Sequence, residues 1–328
     1  MPATVTHAYF AMDVYDALPI GLKSLLMDEK KRMRMFGQSM DALFFYNKIS
    51  LKKGEKVQEF GNYFHTHKSQ EFFLNLINYI KYNCYYKIPD VMSFLYGMIC
   101  HYKLDSKIHP FVFYKTGVFK KEDKETYRFQ QQHEYMEIFI DNYFIKQREH
   151  SNPYAFSFYD FCFDFMPFSL ELEEVINYAF EETFGVKNMC YFYQKSLKQM
   201  YSALKYFRYD KYGVKKKAYQ FFDLLKPKTT FQLKAISYHQ SLIDQKNYLN
   251  LKHEQWNHPC LKREKHKESV VDLYLEALYE TNQLIKEVNA YLKDTKKVNL
   301  KKLFPNLSYT TGKDCKKGEN FKYFEEEA

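Results

Sequence analysis

A chain of 328 residues that is 46% apolar can bury a sizeable core, and with only 10 glycines and 9 prolines it is too poor in turn formers for a β-sandwich or barrel. The formal charge of +9 is compatible with an anionic membrane surface, a nucleic acid or a phosphorylated substrate. The basic clusters, at Lys215–Lys217, Lys262–Lys267, Lys296–Lys297, Lys301–Lys302 and Lys316–Lys317, are in part interrupted by acids (Glu264, Glu268) and read first as a solvated surface.

In chain order, the start, Met-Pro-Ala-Thr-Val-Thr-His, has no basic region followed by an apolar core, so it is not read as a signal peptide. Ser69 is expected to open a helix over Gln70–Asn83, with Phe72, Phe73, Leu76, Ile77 and Ile80 on one face. Asp90 is placed to cap the next helix, which carries Met92, Leu95, Met98 and Ile99 inward and His101 and Asp105 in its later half. Pro110 predicts an end to that helix by His109. A polar connection over 115–124 leads to a third helix, from about Glu125 to Arg148. Pro153 and Pro167 bracket an aromatic, irregular region, after which helices are expected at Leu170–Phe184, Met189–Phe207 and Tyr212–Leu225. Val270–Leu292 reads as an amphipathic helix, and 304–328 as a loosely packed C-terminal tail. The expectation is all-α, with one helical domain over 1–303. Six scattered cysteines without a C-x-x-C pair predict reduced, partly buried thiols. No run reaches the roughly 18 apolar residues of a spanning helix. A soluble, cytoplasmic protein is therefore expected.

Chemistry concentrates in 1–150. His101, Asp105 and His109 recur at intervals of four, as do His133 and Glu137, and residues four apart share a helix face. With His7, Asp41 and His65 these make eight candidate metal ligands, five imidazoles and three carboxylates. That is too many for one tetrahedral zinc ion and suits two or three divalent ions with a bridging carboxylate. Clustered ions favour phosphoester chemistry, where one lowers the pKa of a bound water and others hold phosphoryl oxygens. Tyr46, Tyr63, Phe64 and Tyr102 flank these residues and read either as a cleft lining, in the manner of an aromatic cage for a cationic headgroup, or as ordinary core.

The motifs Thr6-His7-Ala8-Tyr9-Phe10, Gly37-Gln38-Ser39-Met40-Asp41, Gly61-Asn62-Tyr63-Phe64-His65 leading to Glu71-Phe72-Phe73, His101-x3-Asp105-x3-His109-Pro110 and His133-x3-Glu137 resemble the zinc-dependent phospholipase C family, which includes the bacterial phospholipases C and the clostridial alpha-toxins. The core likeness runs over residues 3–145 and extends more loosely through Trp256-Asn257-His258-Pro259 and the Val270–Leu292 helix. The resemblance implies a helical bundle with three zinc ions at the base of a cleft. By position, Asp41, His65, His101 and Asp105 would hold the first, His109, His133 and Glu137 the second, and His7 and Asp105 the third. In the family a mature N-terminal tryptophan completes the third site. No tryptophan precedes His7 here, which puts that site in doubt, although Pro2 could chelate if Met1 were removed. The spacing to Glu71-Phe72-Phe73 favours His65 over His67 as a ligand. The other histidines, at 150, 239, 253, 258 and 266, have no ligand spacing and are expected at the surface or in caps.

The expected activity is hydrolysis of a phospholipid or other phosphodiester by metal-activated hydroxide, with Asp41 orienting or deprotonating the water unless it is only a ligand. A nuclease of the same fold, to which fungal single-strand nucleases are similar, and a non-catalytic metal-binding relative are the rivals.

Overall fold

In the computed structural model, residues 4–48, 53–120, 122–149, 156–210, 212–225, 233–239 and 246–325 are described. The fold is all-α, assembled around one long helix. That helix, α6, spans Pro89–Thr116 and is buried nearly all round, from Val91 and Leu95 on one side to Tyr96, Ile99 and Tyr102 on others. A helix apolar on every face has to lie in the middle of a layered bundle. Around it pack α1 (Thr4–Ala17), α3 (Lys30–Phe36), α7 (Gln132–Glu149) and α12 (Val270–Leu292). The short α2 (Ile20–Leu25) links α1 to α3; α4 (Glu55–Thr66) and α5 (Ser69–Tyr82) follow. Beyond α7 come α8 (Phe158–Cys162), α9 (Leu170–Phe184), α10 (Met189–Phe207) and α11 (Val214–Leu224), and a last turn, α13, covers Leu300–Leu303.

The aromatic richness of the sequence is used in the core. Phe36 meets Phe94 edge-on at 5.3 Å and Phe64 meets Phe72 at 5.1 Å, the T-shaped geometry that aligns ring edge with ring face. Helix ends are fixed by local chemistry. Ser269 and Asp272 form a reciprocal capping box on α12, and the Ser169 hydroxyl accepts from Leu172 N at 3.1 Å to cap α9. Asp141 of α7 reaches the first turn of α1, accepting from Val5 N (3.1 Å), Thr6 N (2.7 Å) and the Thr6 hydroxyl (2.8 Å). A buried carboxylate at a helix N-terminus satisfies amides that have no partner inside the helix, and here it sets α1 on α7.

Several expectations need correction. The α6 helix does not stop at His109; it continues through Pro110 to Thr116. Proline in a helix interior removes one hydrogen bond and crowds the preceding turn, a local cost that the buried surface on both sides of Pro110 outweighs. Asp90 does not cap α6. Its carboxylate is buried and instead accepts from Arg32 Nη1 (3.2 Å), Ser169 N (2.9 Å) and Ser169 Oγ (2.9 Å), joining α3 to the start of α9. The third helix starts later than expected: Lys124–Phe129 is 3₁₀, Gln131 has φ +64°, and α7 begins at Gln132.

The first part of the C-terminal stretch, 304–311, is closely packed, while 316–320 are exposed. Phe304, Ser308, Tyr309 and Thr311 are buried, and Phe73 stacks on Phe304 at 4.5 Å. Further along, Glu325 N donates to Tyr114 O at 2.8 Å, so the stretch runs beside α6. A two-stranded antiparallel hairpin, β1 (Trp256–His258) and β2 (Leu261–His266), adds a small element that the helical reading of the sequence lacked. No helix among the described residues is long and apolar enough to cross a membrane. Cys100, Cys162 and Cys190 are buried free thiols, and Cys84 is exposed.

Candidate metal centre

Five elements bring the eight singled-out residues to one place. His7 comes from α1, Asp41 from the 3₁₀ turn Ser39–Phe45, and His65 from the last turn of α4. His101, Asp105 and His109 rise along α6, and His133 and Glu137 lie in the first turns of α7. Three groups result: His7 with His101 and Asp105; Asp41 with His65 and His101; and His109 with His133 and Glu137. Within each, the potential ligand atoms lie within 4.8 Å of one another.

Asp105 is the hub. Its Oδ1 is 3.1 Å from His7 Nε2, and its Oδ2 is 2.9 Å from His101 Nε2 and 3.6 Å from His109 Nδ1. Asp41 Oδ1 lies 3.0 Å from His65 Nε2. One oxygen of Glu137 sits between His133 Nε2 (2.9 Å) and His109 Nε2 (3.3 Å). The His109 and His133 side chains keep 13% and 20% exposure while His101 has none, so the cluster meets solvent at its third group.

Backbone carbonyls orient the rings. His65 Nδ1 donates to Gly61 O (2.6 Å), His101 Nδ1 to Gly37 O (3.0 Å) and His109 Nδ1 to Tyr309 O (3.0 Å). Each of these bonds needs the proton on Nδ1, which leaves the Nε2 lone pair of a neutral ring facing inward. The reach of His101 depends on Gly97, one turn earlier on α6. A Cβ there would stand 2.5 Å from Phe36 Cβ and 2.9 Å from Gly37 N, so only glycine lets α6 approach the end of α3.

The arrangement fits divalent metal. With both Nδ1 atoms donating to carbonyls, the Nε2 atoms of His65 and His101 face each other at 3.3 Å in a buried pocket. Two lone pairs at that distance repel unless positive charge lies between or beside them. Asp105 Oδ2 and His7 Nδ1 are buried without a hydrogen-bond partner among the described residues. Without a metal, the same carboxylates draw positive charge from protonated imidazoles instead. Burial pushes the Asp105 carboxyl up, but His101, His109 and His7 overcome that and hold it well below the ordinary carboxylate range. Asp41 is held low by His101 and His65 against burial, and Glu137 by His133 and His109. Burial pulls His109 down, yet Asp105 and Glu137 lift it to about 9. His7 goes the other way: burial and the neighbouring His101 lower it.

Sequence reasoning missed the part played by the C-terminal stretch. Tyr309 gives its carbonyl to His109, takes His65 O through its own N–H (2.8 Å), and sets its buried ring 5.2 Å from His65 and 5.8 Å from His101. Gly312 has φ +62°, and a Cβ there would meet Ser106 O at 2.4 Å, so the stretch lies directly against the α6 backbone beside Pro110. His258, expected at the surface or in a cap, is buried: its Nδ1 accepts from Cys260 N (3.1 Å) and its Nε2 donates to Thr311 O (2.9 Å), a second anchor for this segment. His239 is also largely buried, paired with Asp210 at 2.6 Å. No spacing or motif in the sequence pointed to this, because each contact joins residues far apart in the chain.

His67 is exposed and stacks on Tyr63 at 4.0 Å, away from the cluster, which leaves His65 as the member of that pair in the pocket. Phe64 and Tyr102 are core residues, and Tyr63 is at the surface, so these aromatics do not form a cage. His150 and Pro2 lie outside the described residues.

A family model described as zinc dependent phospholipase C matches residues 6–183, a span that holds all eight residues but stops short of the hairpin, α12 and the C-terminal stretch. No curated protein and no solved structure gives a significant match.

Proposed function

This chain belongs to the zinc-dependent phospholipase C family, and we propose on that premise that it hydrolyses a phosphodiester, a phospholipid being the substrate the family implies. The observation that carries the reading is the convergence of Asp41, His65, His101 and Asp105 around facing imidazole nitrogens 3.3 Å apart. In the proposed assignment these four would hold one ion, His109, His133 and Glu137 would hold a second, and His7 with Asp105 would hold a third. When bound, such ions supply a water of lowered pKa and polarise phosphoryl oxygens. The chain's own contribution is positional. The carbonyls of Gly37, Gly61 and Tyr309 lock three rings with Nε2 inward, so binding requires no reorientation of those side chains. Asp41, ionised against burial, is the side chain proposed to orient the attacking water or accept its proton, unless it acts only as a ligand. The partly exposed His109–His133 edge is where a phosphate would enter. The folded unit responsible is proposed to include the C-terminal stretch, because that stretch supplies Tyr309.

The net charge of +9 keeps a nuclease as the second reading. Elemental analysis of the purified protein, run beside a panel of phospholipid, nucleotide and chromogenic phosphodiesters, tests both. The leading reading expects bound zinc and turnover of a phospholipid or its short-chain analogue, with both lost in His101→Ala and Glu137→Ala. Turnover confined to single-stranded nucleic acid, falling steeply with salt, would favour the nuclease. Metal retained in full by both variants would overturn the site assignment, and bound metal with no turnover of any diester would leave a non-catalytic relative.

A further inference from the structure

The α11 helix is built inside out. Val214, Ala218, Phe221 and Leu225 recur at intervals of four, three and four, the spacing of a single apolar stripe. In a helix packed on a core that stripe faces inward. Here the buried residues are Tyr219 and Asp223, on the other side. The Tyr219 hydroxyl donates to Tyr206 O at 2.9 Å, and the Asp223 carboxylate accepts from Leu233 N (2.7 Å) and Lys234 N (2.8 Å). The stripe is left in solvent: Val214 is 64% exposed, Phe221 59% and Leu225 69%, with Phe222 and Leu224 beside them at 49% and 83%. A run of exposed apolar side chains on one helix face marks an interaction site rather than scattered surface hydrophobicity.

The charge on the same helix is of one sign. Lys215, Lys216 and Lys217 follow one another, and the single acid, Asp223, is turned inward onto two amides. Asp210, at the entry to the helix, is likewise occupied, by His239 and by the amides of Val214 and Lys215. Lys215 and Lys217 flank the stripe on its two sides, Lys215 Nζ also donating to Tyr206 O at 2.8 Å, while Lys216 lies on the side of Asp223. A face of Phe, Leu and Val edged by lysine and free of carboxylate is complementary to a surface that is apolar inside and anionic at its rim.

We propose that the outward face of α11 is a docking surface for an anionic phospholipid bilayer. Its stripe enters the headgroup–acyl boundary and its lysines engage acidic headgroups, as amphipathic helices do when they lie in the plane of an interface. The inference rests on the reading of the chain as a phospholipid hydrolase, and it adds which face meets the lipid. The surface is mechanically joined to the metal centre. Asp223 holds the turn Leu233–Ile236, that turn packs on α7, and α7 carries His133 and Glu137.

The test is flotation of the full chain with vesicles of phosphatidylcholine, with and without phosphatidylserine. The wild type should float with the mixed vesicles, less with pure phosphatidylcholine, and less at high salt. Phe221→Ser combined with Leu225→Ser should lower partitioning roughly tenfold or more. Lys215→Glu combined with Lys217→Glu, the two lysines that flank the stripe, should abolish the preference for phosphatidylserine. Neither pair touches the metal centre, so turnover of a soluble, monomeric phosphodiester and the melting temperature should stay unchanged while hydrolysis of vesicle lipid falls. A wild type that cleaves the soluble diester but ignores vesicles would sink the docking surface and spare the hydrolase. One that floats through α11 yet cleaves no diester would do the reverse. Equal flotation of variants and wild type, or a wild-type dimer that the serine pair dissociates without any vesicle binding, would also overturn the proposal.

Discussion

The α6 and α11 helices break the ordinary rule of apolar inside and polar outside in opposite directions. In α6, two imidazoles and a carboxylate are aligned along one face, with His101 and Asp105 sealed into the core and His109 at its edge. In α11, aliphatic and aromatic side chains stand in water while a carboxylate and a tyrosine are buried. Both departures cost stability in isolation, since buried charge requires compensation and exposed apolar surface forgoes burial. The compensation differs. In α6 it comes from within, through carbonyls and opposed charges. In α11 the described residues offer none for the stripe. A buried polar cluster and an exposed apolar stripe are the informative exceptions in a fold that otherwise obeys the rule.

Five substitutions would break or sharpen this contrast. The largest effect is expected from Asp105→Asn, which keeps the shape of the hub but removes the charge shared by His7, His101 and His109. Metal content by elemental analysis should fall, and turnover should drop by about a thousandfold or more. Next comes a matched pair. Phe94→Ala, in the core of α6, should cost about 3–5 kcal/mol in chemical denaturation. Phe221→Ala on α11 should change stability by no more than about 0.5 kcal/mol. Comparable losses at the two sites would mean that the α11 stripe packs against something in the free protein.

A smaller effect is expected from Gly312→Ala. It forces a side chain into a left-handed backbone and against Ser106 O, at a cost of about 1–3 kcal/mol. By shifting Tyr309 off His109 it should weaken metal binding about 10–100-fold, measurable by competition with a chelating dye. Unaltered affinity would detach the C-terminal stretch from the site.

The mildest signature is a pH slope from Asp141. Burial lifts its carboxyl to about 7 despite the hydrogen bonds it accepts from Val5, Thr6 and Tyr238. The folded chain therefore holds this proton more tightly than the unfolded one, where an aspartate titrates near 4. The resulting stabilisation is fully present below that value and is lost as pH rises to about 7. Urea midpoints of wild type and Asp141→Asn, compared between about pH 5 and about pH 8, should show a steeper decline in the wild type. Parallel slopes would remove Asp141 as the cause.

Much of the site could be read from spacing. His101, Asp105 and His109 share a helix face because 3.6 residues make a turn, and the pairing of His133 with Glu137 follows from the same geometry. Helical spacing of apolar residues also placed α9, α10 and α12 at their observed bounds. Two local rules misled. Proline at 110 suggested an end that burial of the flanking turns overrode, and Asp90 resembled a cap although Arg32 and Ser169 claimed its carboxylate.

What the linear order determined by itself is periodicity: which side chains share a face, which elements are helical, and which imidazoles and carboxylates are available in what order. What only the tertiary structure decided is company across long separations. Tyr309 meets His109 across two hundred residues, Gly97 lets His101 reach Gly37, and the stripe of α11 turns outward because Asp223 and Tyr219 found partners on the other side. Helical spacing is a property of a few covalent turns. Which of two faces is buried depends on the free energy of contacts with segments that the local sequence does not contain.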